Sequence, residues 1–291
     1  MVSLFGFTSA PVLGSFAVGI VCLAAYIKRQ LSIKVPVLDL HVFTYQGYRV
    51  GVMCLMLNFG ITLAAMYVLP QFYQNAMLIA VAAAGVLMLP GGLINAAVSV
   101  AAGTLFDRFG ARGPVSIGFA CSALASAMLM IATPETPIWY MVACHIIMMI
   151  GVPLAMSPCQ THALASIPPQ LNSDGSTIMN TLQQVLGAIC TAVATCLLAA
   201  GGTDSALAFT EGSHIGFAFT LIMAVLGFFL AFRINLQKEQ SAQKEGSVAD
   251  ASVLSSLMQT DVFSVNENAN ALEALRLFAE KEISGAPVLD N

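Results

Sequence analysis

Long runs of apolar residues, separated by short polar stretches, set the pattern of this 291-residue chain. A helix needs about 20 apolar residues to cross a hydrocarbon core of roughly 30 Å, because it rises about 1.5 Å per residue. Seven runs reach that length, and none carries Asp, Glu, Lys or Arg in its interior. They lie near residues 8–27, 50–70, 77–102, 114–133, 138–159, 178–200 and 215–234. The pattern predicts an all-α integral membrane protein with seven transmembrane helices.

The positions of Lys and Arg predict how these spans are oriented, because cytoplasmic loops carry an excess of positive charge. The basic residues follow the first, third and seventh spans, at Lys28, Arg29, Lys34, Arg49, Arg108, Arg112, Arg233, Lys238 and Lys244. The loops near 71–76, 134–137 and 201–214 contain neither Lys nor Arg. We therefore expect a multi-pass protein of the cell (plasma) membrane, with its N-terminus outside and its C-terminus in the cytoplasm.

Composition agrees with a membrane protein and excludes several function classes. Hydrophobic residues make up 58% of the chain and charged residues 9%, against about 25% charged residues in soluble domains. With a net charge of −4 and no basic patch outside short loops, no nucleic-acid partner is expected. The seven cysteines lie in apolar runs without metal-ligand spacing, so no metal or cofactor is expected. The sequence contains no phosphate loop and no nucleophile elbow, so we do not expect an enzyme.

The composition changes after the last apolar run. Residues 236–250 form a polar linker, and 251–291 mix apolar and charged positions as a small soluble fold does. Apolar residues at helical spacing predict an amphipathic helix over 269–281, and 286–289 reads as a strand. The sequence thus predicts a transmembrane domain over 1–235, followed by a soluble segment that is too short for a core of its own.

The loop between the third and fourth spans, GTLFDRFGAR, has the most specific residue spacing in the chain. Gly103 permits a close helix approach and Gly110 permits a tight turn. Asp107 can accept hydrogen bonds from the start of the following helix, where the macrodipole favours an anion. Arg108 and Arg112 can pair with Asp107 or anchor at lipid headgroups. The alternative interpretation is an ordinary basic cytoplasmic turn.

This spacing resembles motif A of the major facilitator superfamily, in the copy that belongs to the second half of that fold. Residues 36–43 (PVLDLHVF), 87–93 (LMLPGGL) and 157–192 resemble segments of its fourteen-span drug:proton antiporter family. The likeness covers roughly residues 10–235 and implies the C-terminal half of a major facilitator fold. It further implies multidrug efflux of amphipathic small molecules by alternating access, with motif A as a latch.

The same resemblance implies that part of the machinery lies outside this sequence. Such transporters combine two six-helix bundles with two additional helices, and this sequence corresponds to the last seven spans. The N-terminal bundle, where the family places its proton-coupling residues, has no counterpart here. We therefore expect a C-terminal half or fragment that lacks the proton-coupling half, with a second chain as one source of the missing bundle. Pro70, Pro90, Pro153 and Pro158 are expected to kink their helices.

Residues 253–290 resemble the opening part of a CBS motif, with a Met-x-x-Asp-Val start, an Ala-Leu helix and the strand ISGAPVLD. CBS modules pair and often bind adenine nucleotides. The later part of the motif supplies a ribose-contacting acidic residue and is missing here, so no nucleotide binding is expected. The resemblance implies a small partial α/β CBS-like tail. It leaves open an alternative function, a membrane-embedded regulatory or interaction subunit with a cytoplasmic tail.

Polar side chains inside the spans are candidates for a substrate path, because such groups are costly in hydrocarbon. They are Asn58 and Thr62 of the second span, His145 and Met149 of the fifth, and Asn180 and Gln184 of the sixth. By family analogy the second and fifth spans line the central cavity, where flexible methionines suit varied apolar molecules. The alternatives are small and amide residues that hold helices together, methionines that face lipid or pack, and a histidine bonded to a neighbouring helix.

Overall fold

A computed structural model describes residues 10–32, 38–202, 205–234, 265–266 and 288–289. These residues form seven α-helices, each of which overlaps one predicted span. They are α1 (Ala10–Ser32), α2 (Gln46–Gln71), α3 (Val81–Phe109), α4 (Arg112–Leu129), α5 (Ile138–Ala165), α6 (Asn172–Ala200) and α7 (Ala206–Ala231). Short 3-10 turns at Leu40–Thr44 and Pro169–Leu171 precede α2 and α6, and a π-helical turn at Phe72–Ala76 extends α2.

Five stretches of helix in the described part are long and apolar enough to cross a membrane. They are Gln46–Ala76, Val81–Phe109, Ile138–Ala165, Pro169–Ala200 and Ala206–Ala231. The chain is therefore mostly helical with several candidate spans, as the apolar pattern predicts. The count of seven spans stays a prediction for α1 and for α4, which has 18 residues and starts with Arg112.

The helices pack around two central members. Helix α2 contacts α5, α6 and α7, and α5 contacts α2, α3 and α4. Helix α7 fills the space between α2, α4 and α6. Helices α3 and α6 lie at the edges of this bundle, and only a minority of their residues are buried. The side chains that the structure describes on α1 are also mostly exposed, Val18 and Val21 among them.

Small residues bring α4 and α5 into backbone contact. A Cβ atom built on Gly151 would lie 2.5 Å from the carbonyl oxygen of Gly118 and 2.7 Å from Oγ of Ser122. Conversely, a Cβ atom on Gly118 would lie 2.6 Å from the carbonyl oxygen of Gly151. Main-chain atoms of each helix thus occupy the place of a side chain on the other. This α4–α5 seam holds one side of α5 in place.

The last helix corrects the predicted loop over 201–214, because α7 already begins at Ala206. The hydroxyls of Thr210 and Ser213 donate to carbonyl oxygens one turn earlier in the same helix. The ring of His214 lies 2.7 Å from the carbonyl oxygen of Ala132. Their low hydropathy predicts a loop, yet their polar groups make hydrogen bonds within the bundle and so allow a helix there.

The chain divides into two compact units, Met1–Ala242 and Gln243–Asn291. In the second unit, strands β1 (Val265–Asn266) and β2 (Val288–Leu289) pair in parallel. Strand β2 falls within the predicted strand over 286–289. The linker over 236–250 and the tail helix over 269–281 lie outside the described residues, so the fold of the CBS-like tail stays a prediction.

Candidate functional site

The motif at Gly103–Arg112 forms a tight corner between two helices. Helix α3 continues through Asp107 and Arg108 to Phe109, so most of the motif is helical and not a loop. The chain turns at Gly110, whose φ of 70° lies in the left-handed region that favours glycine. The turn predicted at Gly110 is therefore present. No atom lies within 4 Å of a Cβ atom built on Gly103, so no described helix approaches it closely.

The charged residues of this corner do not pair with one another. Asp107 and Arg108 are exposed, and neither has an ion pair in the described part of the chain. The guanidinium carbon of Arg112 instead lies 5.1 Å from the ring centre of Phe232, just beyond the end of α7. This arrangement leaves Asp107 and Arg108 available to a partner and uses Arg112 to hold the end of the last helix.

Replacing Arg112 tests this contact. A cation–π interaction at an exposed site contributes about 0.5–1 kcal/mol, so Arg112→Ala should lower the melting temperature by about 1–4 °C. Unfolding in mild detergent is followed with a thiol-reactive dye, because Cys54, Cys144, Cys159 and Cys190 are buried in the folded protein. Arg108→Ala is the matched control and should leave the melting temperature unchanged. Equal losses in both variants would contradict a role for the Phe232 contact.

On α2, Asn58 is fully buried and faces α5. Its Nδ2 donates to the carbonyl oxygen of Val152 at 3.0 Å. Its Oδ1 has no hydrogen-bond partner among the described residues. Thr62, one turn later, donates to the main-chain carbonyl of Asn58 at 2.8 Å. These two predicted site residues lie together on α2, and Asn58 connects α2 to α5.

On α5, His145 and Met149 face α3. His145 is 3% exposed, and its ring is so close to Gly91 that a Cβ atom there would collide with it. Its Nδ1 has no partner among the described residues, so the expected bond to a neighbouring helix is not made through this atom. Nδ2 of Asn95 on α3 donates to the carbonyl oxygen of Met149 at 3.3 Å and lies 3.9 Å from its sulfur.

Asn95 is a residue that the sequence interpretation missed. It is the one amide within the apolar run of α3, one turn after Gly91 and Gly92. A lone asparagine inside an otherwise apolar span is the signal that marks it, because such a group needs a partner.

The remaining predicted residues, Asn180 and Gln184, lie elsewhere. Both are exposed on α6, together with Thr177 and Thr181. The two threonine hydroxyls donate to carbonyl oxygens of their own helix. The side-chain amides of Asn180 and Gln184 make no hydrogen bond to another described residue. These four residues, which we call the α6 stripe, follow one face of the helix at steps of three and four residues.

The segment before α2 and the first turn of α2 are attached to the start of α6. The backbone N–H of Asp39 donates to the Asp174 carboxylate at 3.1 Å, and the Tyr48 hydroxyl donates to the carbonyl oxygen of Gly175 at 2.8 Å. The backbone N–H and the ring of His41 both bond the Asp39 carboxylate, which holds the pKa of that carboxyl below its usual range. This attachment positions the first turn of α6, where the α6 stripe begins.

Comparisons with known proteins bear on both parts of the chain. The sequence model of the Major Facilitator Superfamily matches residues 1–191. The CBS domain model matches residues 254–291. Both agree with the resemblances that the sequence shows.

Curated relatives match across most of the chain. The lincomycin resistance protein LmrB of Listeria innocua is 37% identical over 245 residues, which cover 80% of this chain and 52% of that protein. LmrB of Bacillus subtilis is 34% identical over 78% of this chain and 50% of its own length. The multidrug export protein EmrB of Haemophilus influenzae is 24% identical over 65% of this chain and 37% of its own length. The chain spans about half the length of both LmrB proteins.

Proposed function

The chain belongs to the major facilitator superfamily, and from this premise we propose that it forms the second half of a drug-efflux carrier working by alternating access. Members of this superfamily are multi-pass membrane transporters, not enzymes. Support for drug export comes from relatives named for lincomycin resistance and for multidrug export. The proposed substrates are amphipathic small molecules, with lincomycin as the first probe. No comparison favours the alternative of a regulatory subunit.

The α6 stripe is the observation that carries this proposal. An amide without a partner is costly in hydrocarbon, because lipid offers it no hydrogen bond. Asn180 and Gln184 therefore require water or another polar surface on the exposed side of α6. A water-filled substrate path beside α6 meets that requirement, and its opposite wall comes from a first-half bundle. That bundle lies either in the same polypeptide or in a second chain.

The other predicted site residues take supporting roles in this proposal. Asn58, Thr62, His145 and Met149 are buried or half-buried between helices, so we propose that they shape the helices that carry the path. We also propose that the motif A corner is the latch of the cytoplasmic side, with Asp107 and Arg108 exposed toward the first-half bundle. This orientation places the N-terminus outside, in agreement with the distribution of Lys and Arg.

Variants of the α6 stripe test the proposed path. The assay uses a joined carrier, in which this chain follows the first-half bundle of the Listeria innocua relative. Gln184→Leu and Asn180→Leu should each lower lincomycin export about fivefold or more, because each removes a hydrogen-bonding group that contributes about 1 kcal/mol. The measurement is the initial rate of export from energised vesicles, corrected for the amount of inserted protein.

Val185→Leu is the matched control, since Val185 is exposed beside Gln184 on the same helix. It should leave export within twofold of the parent carrier. If Gln184→Leu and Asn180→Leu raise the melting temperature and leave export unchanged, the stripe faces lipid or packs against protein. That outcome would remove the observation on which the proposed path rests.

A further inference from the structure

Helix α5 contains a main-chain acceptor that its own helix does not satisfy. Pro153 has no N–H, so the carbonyl oxygen of Met149 receives no hydrogen bond from the residue one turn later. Within a bilayer such a carbonyl must find another donor, because no lipid group replaces the missing one. The donor present is Nδ2 of Asn95 on α3, at 3.3 Å. A side chain of one helix thus substitutes for a main-chain group of another.

The neighbouring contacts of α5 show why Asn95 differs from Asn58. Asn58 donates to the carbonyl of Val152, whose ordinary helical donor, the N–H of Met156, is available. It adds a second bond to an acceptor that does not depend on it. Among the described residues, the side-chain donor that reaches the carbonyl of Met149 is Nδ2 of Asn95. Removing the Asn95 amide therefore leaves an unpaired carbonyl, whereas removing that of Asn58 does not.

Asn95 makes the polar connection between α3 and α5. Among the described residues, the hydrogen bonds of Asn95 are the ones that join a side chain of α3 to another helix. One turn away, Gly91 meets the ring of His145, whose Nδ1 has no partner in the described part of the chain. The opposite side of α5 is fixed by the close seam between Gly151 and Gly118. If α5 changes a contact while the bundle stays folded, the observations favour the contact with α3.

We propose that Asn95 is a positioning residue of the transport cycle. In one arrangement of α3 and α5, its side chain binds the carbonyl oxygen of Met149, which Pro153 leaves without a helical donor. When the two helices shift, Asn95 releases that carbonyl. The role in the transport cycle rests on the proposed function, whereas the replacement of the missing donor does not. Because Asn95 lies on α3 and not on the α6 stripe, it governs turnover and not the binding of substrate.

A double-mutant cycle tests the substitution of donors without any transport assay. Asn95→Ala should lower the melting temperature of the chain in detergent by about 2–4 °C, the size expected for one hydrogen bond. In a Pro153→Ala background, the introduced alanine supplies the missing N–H to the carbonyl of Met149. There the same Asn95→Ala change should cost less than about 1 °C. Equal losses in both backgrounds would overturn the assignment of Asn95 to the Met149 carbonyl.

Ser99→Ala is the control for this cycle. The Ser99 hydroxyl donates to the main-chain carbonyl of Asn95 within α3, at 2.7 Å. It shares the helix and the neighbourhood of Asn95 but makes no bond to α5. Its effect on the melting temperature should be the same in the parent chain and in the Pro153→Ala background. If the effect of Ser99→Ala on the melting temperature differs between the two backgrounds as much as that of Asn95→Ala, then Pro153→Ala destabilises the region in general. That result would overturn the proposal.

The second arm measures export by the joined carrier. Asn95→Ala should lower kcat about fivefold, the equivalent of one hydrogen bond, with KM changed less than twofold, and Asn95→Ala with Pro153→Ala should recover most of kcat. A rise in KM with unchanged kcat would place Asn95 in substrate binding and overturn the positioning role. A parent carrier that exports nothing overturns the proposed function and the turnover role together. The melting-temperature cycle still decides whether Asn95 replaces the missing donor.

Discussion

Gly151→Val should produce the largest loss of stability of any single change considered for this chain. A Cβ atom at this position would lie 2.5 Å from the carbonyl oxygen of Gly118 and 3.0 Å from the backbone nitrogen of Ser122. Main-chain atoms of a packed helix cannot rotate away as a flexible side chain can, so α4 and α5 must separate. Overpacking of this kind costs about 1–3 kcal/mol, and we expect the upper end, a fall in melting temperature of about 6–12 °C.

Gly85→Val is the matched control, because no atom lies within 4 Å of a Cβ atom built on Gly85 of α3. Both variants place the same β-branched residue in a helix, so they share any loss that arises from helix propensity. The thiol-dye measurement in detergent should show a small change for Gly85→Val and a large one for Gly151→Val. Similar shifts in the two variants would mean that the α4–α5 seam does not have the described separation.

The existence of the helices could be predicted from the sequence because a helix that crosses a bilayer needs a continuous run of apolar residues. An apolar run such as that of α2 or α5 is recognised without knowing what it packs against. The start of α7 could not be predicted in this way. Thr210 and Ser213 bond their own helix and His214 reaches the carbonyl of Ala132, so polar residues form the start of a helix that hydropathy alone begins near residue 215.

The candidate site shows a similar division between local and distant information. Polar residues within apolar runs identify Asn58 and His145 as unusual, but their partners depend on which helices pack together. Asn95 carries the same local signal, but its role could not be predicted, because the acceptor it serves is created by Pro153 on another helix. A pattern of residues along α3 cannot contain that relation. The structure was also needed to separate the buried residues from the exposed α6 stripe. Residue spacing shows which residues share a helix face, but it does not show what that face contacts.

Export driven by a proton gradient separates the proposed half-carrier from a complete one. The described helices carry Asp, Glu, Lys and Arg within their first or last two turns and none in their central parts. The buried side chains of the described residues include two histidines but no carboxylate. A proton-coupled carrier needs a group inside the membrane that binds and releases a proton, and carboxylates are the usual choice.

Vesicles that contain only this 291-residue chain should therefore export an amphipathic dye no faster than empty vesicles when a pH gradient is imposed. The joined carrier should export the dye, and collapse of the gradient with an ionophore should stop it. The chain must first be shown to be folded, by the protection of its buried cysteines from the thiol dye. Under that condition, gradient-driven efflux by the chain alone would overturn the half-carrier proposal. The group that binds the proton would then have to be sought among the histidines, with His145 first, because its Nδ1 is buried without a partner in the described part of the chain.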